Sequence, residues 1–343
     1  MKILLIKTNI LGDAVMATPF IEALDNSRDF TQIDVLCNEY NEIAFRYNPY
    51  ISQIYPVHFK DDNYNNSKKL AIGYSSVISK INHNMPDGYD AIICLNDGIK
   101  NLQYASLIKA KIRISPNFVT KSFSNHLWMF INSYSTHKLT YVTTKKEQHY
   151  TLRLYDLLIN SCHLLGINSK TINFPAQCKF YLPPTTVKQI IKNSCVINIS
   201  GRQGSLRYIN DNMLYALLQN IEKYGITQVI VVATTKDKER ANQVLNQTNV
   251  NSEIKIQLLV ESNLITLAET INNYEYFIGC DGGLIHVAAG LGLYCIDIFD
   301  DEPSHRCHPW TPKQISLQAS SKNIYDISYL DVLDSINKLR EKS

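Results

Sequence analysis

The chain has no pair of cysteines at C-x-x-C spacing, no run of eighteen apolar residues, and almost no excess of charge of either sign. Each absence removes a class of protein. The eight cysteines, Cys37, Cys94, Cys162, Cys178, Cys195, Cys280, Cys295 and Cys307, are scattered singly, several inside apolar runs. That distribution reads as buried, reduced thiols of a cytosolic protein and not as a disulfide framework. The opening MKILLIKTN is apolar only from Ile3 to Ile6, too short for a signal peptide or a membrane span, so any membrane contact is expected to be peripheral. A net charge of +3 lacks the basic footprint of a nucleic-acid-binding protein. There is no G-x-x-x-x-G-K-[ST] loop, and no G-x-G-x-x-G follows the first strand. P-loop NTPases and standard dinucleotide-dependent dehydrogenases thereby lose their main support. H-E-x-x-H is missing too, and His305, Cys307 and His308 are too few and too close for a zinc site. No metal is expected.

What is present fits a soluble globular protein of 343 residues, 45% hydrophobic and 19% charged, a length that predicts two domains. Lys2 to Lys7 reads as a buried strand, followed by a loop through Gly12-Asp13 and a helix carrying Val15, Phe20, Ile21 and Leu24. Further strands are expected at Ile33 to Cys37 and Asp90 to Leu95, with a polar loop at Lys60 to Lys69 and a helix at His149 to Leu165. Prolines 175, 183 and 184 place the interdomain linker, with domains over 1–178 and 179–326. The pattern then restarts. Strands at Ser194 to Ile199, Gln228 to Ala233, Lys255 to Leu259, Tyr276 to Cys280 and Leu293 to Phe299 alternate with helices, which predicts a second parallel sheet covered on both faces. A last amphipathic helix spans Ile327 to Arg340, with Leu330, Leu333, Ile336 and Leu339 at helical spacing. Two doubly wound α/β domains facing a central cleft direct attention to the loops after the strands.

Three such loops could carry chemistry. Asp13 can cap the helix that follows it, or act as a general base on a hydroxyl, and spacing leaves both readings open. The segment Cys280-Asp281-Gly282-Gly283-Leu284-Ile285-His286 follows a strand and opens a helix. Its glycines admit close backbone approach, its N–H groups attract phosphate, and Asp281 can cap or receive hydroxyls. Ser200-Gly201-Arg202-Gln203-Gly204-Ser205-Leu206-Arg207 offers N–H groups and two guanidinium groups to an anion.

The opening KILLIKTNILGDAVMATPFIEAL resembles the N-terminus of glycosyltransferase family 9, the ADP-heptose:lipopolysaccharide heptosyltransferases. FIGCDGGLIHVAAGLGLYCIDIF resembles that family's donor-site motif, Asp-[Ser/Thr]-Gly-x-x-His-x-Ala-Ala-x-Leu-Gly. The resemblance implies a GT-B fold of two Rossmann-like domains, the acceptor bound mainly by the first and the nucleotide sugar by the second. It also implies an inverting, metal-independent transfer without a cofactor, the co-substrate being ADP-heptose. Asp13 becomes the expected general base and Gly12 its neighbour toward the acceptor. Asp281, Gly282, Gly283 and His286 belong to the donor site, Ser200 and Gly201 to its phosphate loop, and Asp237 or Glu239 to an acidic donor contact. The last helix, 327–343, is expected to pack back on the N-terminal domain. Three positions depart from the pattern. Gly282 replaces Ser or Thr, Leu206 replaces a lysine whose charge Arg202 or Arg207 would supply, and Asp300-Asp301 follow Phe299 where Phe-Gly is common.

Charge is divided unevenly. Residues 1–180 hold 19 Lys+Arg against 14 Asp+Glu, while residues 181–343 hold 15 against 17. The basic half is the expected acceptor half, and Lys60, Lys100 and Arg113 are candidates for attracting an anionic glycolipid, or the inner-membrane face that carries it. The expected reaction moves a heptose to a lipopolysaccharide or lipooligosaccharide inner core in the cytoplasm. The alternatives are another nucleotide-sugar donor, a protein acceptor, or a catalytically silent glycan-binding homologue.

Overall fold

The computed structural model describes residues 1–27, 29–57, 70–96, 99–117, 139–143, 147–201, 207–248, 254–321 and 323–342. The chain divides into two units, Met1–Pro175 and Ala176–Ser343.

In the first unit, six parallel strands form one sheet: β1 Lys2–Lys7, β2 Gln32–Asn38, β3 Gln53–Val57, β4 Tyr89–Cys94, β5 Ala110–Asn117 and β6 Leu139–Thr143, in the order β3-β2-β1-β4-β5-β6. Ile3, Leu4, Leu5 and Ile6 have no exposure, as a central parallel strand covered on both faces requires. The helices are α1 Leu11–Val15, α2 Thr18–Asn26, α3 Leu70–Asn84, α4 Ile99–Leu107 and α5 Tyr150–Leu164. Pro19 sits in the first turn of α2, where a missing N–H costs nothing. On one face, Leu4, Ile6, Leu36 and Ile92 pack with Ile81 of α3 and Ala105 of α4.

The second unit repeats the plan: β7 Ser194–Asn198, β8 Gln228–Ala233, β9 Lys255–Val260, β10 Tyr276–Cys280, β11 Tyr294–Phe299 and β12 Gln314–Gln318, all parallel, in the order β12-β11-β10-β7-β8-β9. Its helices are α6 Asp211–Asn220, α7 Lys238–Gln247, α8 Leu264–Ile271, α9 Gly283–Gly290, α10 Ser304–Cys307 and α11 Tyr329–Glu341. Side chains set where they begin: Asn210 accepts from the Met213 N–H ahead of α6, Asn263 caps α8, and Ser328 with Asp331 forms a capping box on α11.

One expectation is corrected here. The last helix, expected with the N-terminal domain, falls in the second unit: α11 is buried in that unit's core. Val332, Leu333, Ile336 and Leu339 are buried in the same core as Leu214 and Leu217 of α6, Ile278 of β10 and Ile298 of β11. Arg340 donates to the Tyr224 carbonyl at 2.6 Å, and the Tyr224 hydroxyl donates to Asp334 at 2.9 Å, both within that unit. The physical reason lies in the helix's apolar stripe. It runs through Val332 and Leu333, whereas Leu330 points outward at 47% exposure, so the buried face joins the core that α6 forms with β10 and β11. All eight cysteines are free, and seven of them are buried. Among the described residues, no helix is long and apolar enough to cross a membrane.

Candidate active site

In each sheet the strand order reverses beside its first strand, between β1 and β4 and again between β7 and β10. At such a switch point the connections leave in opposite directions, and a crevice opens at the carboxyl ends of the strands. The segments singled out by sequence follow these points: Gly12 and Asp13 after β1, where helix α1 carries both in place of the expected loop, residues 200–207 after β7, and Asp281 to His286 after β10.

In the first unit, Asp13 lies in the first turn of α1 with its side chain 22% exposed. It does not cap the helix. Its Oδ2 accepts a hydrogen bond from the Asn9 amide and stands 3.8 Å from Lys7 Nζ. Lys7 closes β1 with no exposure, and its ammonium donates to the Tyr150 hydroxyl at the start of α5. The loop that carries these groups is tied down from its neighbours. Asn38 donates to the carbonyls of Thr8 at 2.6 Å and Asn9 at 2.8 Å, Asn41 donates to those of Lys7 at 3.1 Å and Asn9 at 2.7 Å, and Thr8 Oγ1 donates to Asn101 at 2.5 Å. Gly12 is buried in α1, and Lys100, in the first turn of α4, is half-buried at the same edge.

The remaining acceptor candidates fare differently. Arg113 is corrected: at 4% exposure its guanidinium donates to the carbonyls of Ala105, Ile108 and Ala110 at 2.5–2.9 Å. It ties the end of α4 to β5 and offers nothing to a ligand, because carbonyls left open at a helix C-terminus need donors and a buried guanidinium supplies them. Lys109 and Lys111 precede or open β5, at the amino edge of the sheet, and Lys111 is paired with Asp90 at 2.6 Å. Lys60 lies outside the described residues, as does Arg202 of the donor loop.

In the second unit, Ser200 Oγ and Thr234 Oγ1 both donate to Asp237 Oδ2, at 2.5 and 2.6 Å, and Ser200 Oγ accepts from the Thr234 N–H at 2.8 Å. Arg240 reaches Asp237 at 3.4 Å and Asp211 at 2.8 Å. Burial is the largest single influence on the Asp237 carboxyl and pushes it up, but the two hydroxyls and the guanidinium together outweigh it and hold it below the ordinary carboxylate value. The geometry therefore joins Ser200 to Asp237, while Glu239 is exposed on α7.

Asp281 follows β10 and opens onto α9, with Gly282 and Gly283 at the helix start and His286 one turn further in, 3% exposed. Gly282 has an extended backbone with φ of 172°, and an added Cβ would meet only the Cys280 carbonyl oxygen at 3.7 Å. A serine or threonine would fit there, so the missing hydroxyl is not forced by the backbone. Gly201 is different: a Cβ would fall 1.5 Å from the Arg207 carbonyl oxygen, so the loop closes on itself only because residue 201 has no side chain.

Arg207 is the centre of this edge. Nη1 meets Asp281 at 2.7 Å, Nε meets Asp300 at 2.9 Å and Nη2 meets Asp301 at 3.1 Å. Three carboxylates, two of them at the departures 300 and 301, meet the Arg207 guanidinium. Beneath it, Asp297 on β11 has no exposure; burial, reinforced by Asp281, pushes its carboxyl well above the usual range against the pull of the Ile298 N–H.

Several residues of these clusters escaped the sequence reading: Lys7, Asn9, Asn38, Asn41 and Tyr150 in the first unit, and Thr234 and Arg240 in the second. Only Lys7 carried a signal, as a lysine closing an apolar strand.

The family described as glycosyltransferase family 9 (heptosyltransferase) matches residues 80–336. No curated protein matches the chain by sequence. Among solved structures, a family 9 glycosyl transferase from Veillonella parvula is similar at a TM-score of 0.74 and 18% identity, over 100% of this chain and 98% of that one. Escherichia coli heptosyltransferase WaaC with ADP gives 0.74 and 15%, over 99% and 100%. The E. coli ADP-heptose lps heptosyltransferase II gives 0.70 and 16%, over 100% of both chains. At these identities the likeness shows the fold, which is GT-B.

Proposed function

Because the chain belongs to glycosyltransferase family 9, we propose that it is an inverting, metal-independent heptosyltransferase that moves heptose from ADP-heptose to a hydroxyl of a lipopolysaccharide or lipooligosaccharide inner core. The observation that carries this reading is Asp13: a partly exposed carboxylate, held from behind by an amide and an ammonium, at the switch point of the first sheet. In the proposed step the acceptor oxygen attacks the anomeric carbon while the bond from that carbon to the diphosphate oxygen breaks. The electron pair leaves with the diphosphate, and the hydroxyl proton passes to Asp13. The N–H groups at the start of α9 and in the Ser200-Gly201 segment stabilise the developing negative charge in this proposal. Asp237, with Ser200 and Thr234, is the acidic contact for a donor hydroxyl.

The donor assignment draws on the relatives, one solved with ADP and one described as an ADP-heptose enzyme. The nucleotide sugar and the anionic glycolipid are the proposed partners, and the proposed location is the cytoplasm, in peripheral contact with the inner membrane. A second reading keeps the reaction and takes another nucleotide-sugar donor; the engagement of Arg207 by three carboxylates bears on every diphosphate donor alike.

The deciding experiment incubates the protein with ADP-heptose and a truncated lipopolysaccharide core and follows product by mass spectrometry. Transfer is expected, undiminished by a chelator, and Asp13→Ala should lower turnover by ~10²–10⁴-fold with the fold retained. Turnover by folded Asp13→Ala near the wild-type rate would remove Asp13 from the chemistry. A thermal-shift panel of ADP, UDP and GDP separates the two donor readings, since a nucleotide at one hundred times its Kd adds ~2.7 kcal/mol of stability.

A further inference from the structure

Lys7 is an expensive residue to bury. An ammonium taken out of water costs several kcal/mol unless an anion and hydrogen-bond acceptors compensate it, and a methionine would fill the same space without that cost. Yet Lys7 has no exposure at the end of β1, with the Tyr150 hydroxyl as acceptor and Asp13 Oδ2 at 3.8 Å. Among the described residues, the elements beside the end of β1 carry further ionisable groups. From α5 and its cap come Arg153, 5.3 Å from the Tyr150 ring, and His149, whose Nδ1 accepts from the Thr151 N–H. From β2 and β4 come Cys37 and Cys94, whose thiols burial pushes up, that of Cys94 to about 12. The carboxylate facing the ammonium is that of Asp13, 3.8 Å away.

The contacts on Asp13 are also one-sided. Both the Asn9 amide and the Lys7 ammonium fall on Oδ2. We propose that Lys7 is a positioning residue for the transfer: with Asn9 it holds Oδ2 of Asp13, so that Oδ1 is the oxygen turned to the acceptor hydroxyl and the one that receives its proton. This rests on Asp13 being the general base. A carboxylate free to rotate would spend much of its time out of line, and a misplacement of about 1 Å can cost ~10²-fold in rate.

The test is a double-mutant cycle on transfer from ADP-heptose to a truncated lipopolysaccharide core, with Lys7→Met, Asp13→Asn and the double variant. Lys7→Met is expected to lower kcat by ~10–100-fold with the KM for the donor unchanged. In the Asp13→Asn background it should cost nothing further, because there is no base left to position. A role confined to folding would instead reduce activity by the same factor in both backgrounds, and that result would overturn the proposal. Should Lys7→Met fail to fold, Tyr150→Phe decides the matter. It keeps the ammonium but removes its anchor, and it should lower kcat several-fold in the wild type and not at all beside Asp13→Asn; equal losses would again overturn it. If the wild-type chain transfers nothing, the heptosyltransferase reading fails and takes this role with it, whereas an active wild type with an unaltered Lys7→Met kcat removes Lys7 alone.

Discussion

At the scale of single residues, the two edges of this protein handle charge in opposite ways. In the first unit one buried cation, Lys7, supports one partly exposed carboxylate. In the second, Arg207 is shared among Asp281, Asp300 and Asp301. Desolvation is the largest single influence on that guanidinium and works against its charge, but the carboxylates outweigh it and hold it more firmly protonated than a free arginine. A diphosphate bound at the start of α9 would share that guanidinium with the carboxylates already on it. Asp301, the most exposed of the three at 59%, can be neutralised with least disturbance. Asp301→Asn is expected to tighten ADP binding several-fold, measured by calorimetry at low salt, with the gain shrinking as salt screens the remaining charge. Unchanged or weaker binding would mean that the diphosphate does not sit beside Arg207.

At the scale of elements, the central strands were the legible part. β1, β4, β7, β8, β10 and β11 are continuous apolar runs, and hydrophobic pattern alone locates them. The strands that sequence did not yield, β3, β5, β6 and β12, have physical reasons for being hard to see. β3 and β6 are the edges of the first sheet and β12 an edge of the second; β3 and β12 bury less and carry weaker patterns. β3 also contains Pro56, which an edge strand tolerates, while β5 contains Arg113 and Pro116, and that arginine is buried only because three carbonyls receive it. The last helix was legible as an element, but its destination was not. With Ile336 fully buried against the second sheet, Ile336→Ala is expected to cost ~2–5 kcal/mol. Hydrogen exchange should place the loss in residues 176–343, and a loss confined to the first unit would contradict the packing described.

For the whole molecule, the balance of acids and bases shapes stability more than the near-zero net charge suggests. Asp297 is the sharpest case. Its carboxyl is held well above 3.8 by burial first and by Asp281 second, so between 3.8 and that raised value the folded chain keeps a proton that the unfolded chain releases. Its contribution to stability is therefore fully present below 3.8 and is lost as pH rises through that window. The difference in melting temperature between wild type and Asp297→Asn isolates this term from acids such as Asp90 and Asp237, which are held low and act in the opposite direction. The variant should gain on the wild type as pH rises from about 4 to 8; a gap that does not change with pH would mean that Asp297 is ionised when folded.

The same scale shows what chain order could and could not settle. Alternating strands and helices, a proline-rich junction and two loop motifs in the proper order were enough for two parallel sheets, their approximate boundary and the family, because hydrophobic periodicity and turn chemistry are local properties. Asp13, Ser200 and Asp281 could be singled out because each stands just after a buried strand. What surrounds them is not local. Lys7 meets Tyr150, Asn38 and Asn41 reach back to the first loop, and Arg207 joins Asp281 to Asp300 and Asp301, all across distances in sequence that carry no periodic signal. The basic character of the first half was visible at once, yet which lysines face the binding edge and which face the opposite one depended on the direction of the strands that carry them. Burial sorted them further: it turned Arg113 into a helix-end clamp and Lys7 into the partner of a carboxylate, because a charge inside a protein is stable only beside the groups that the fold brings to it.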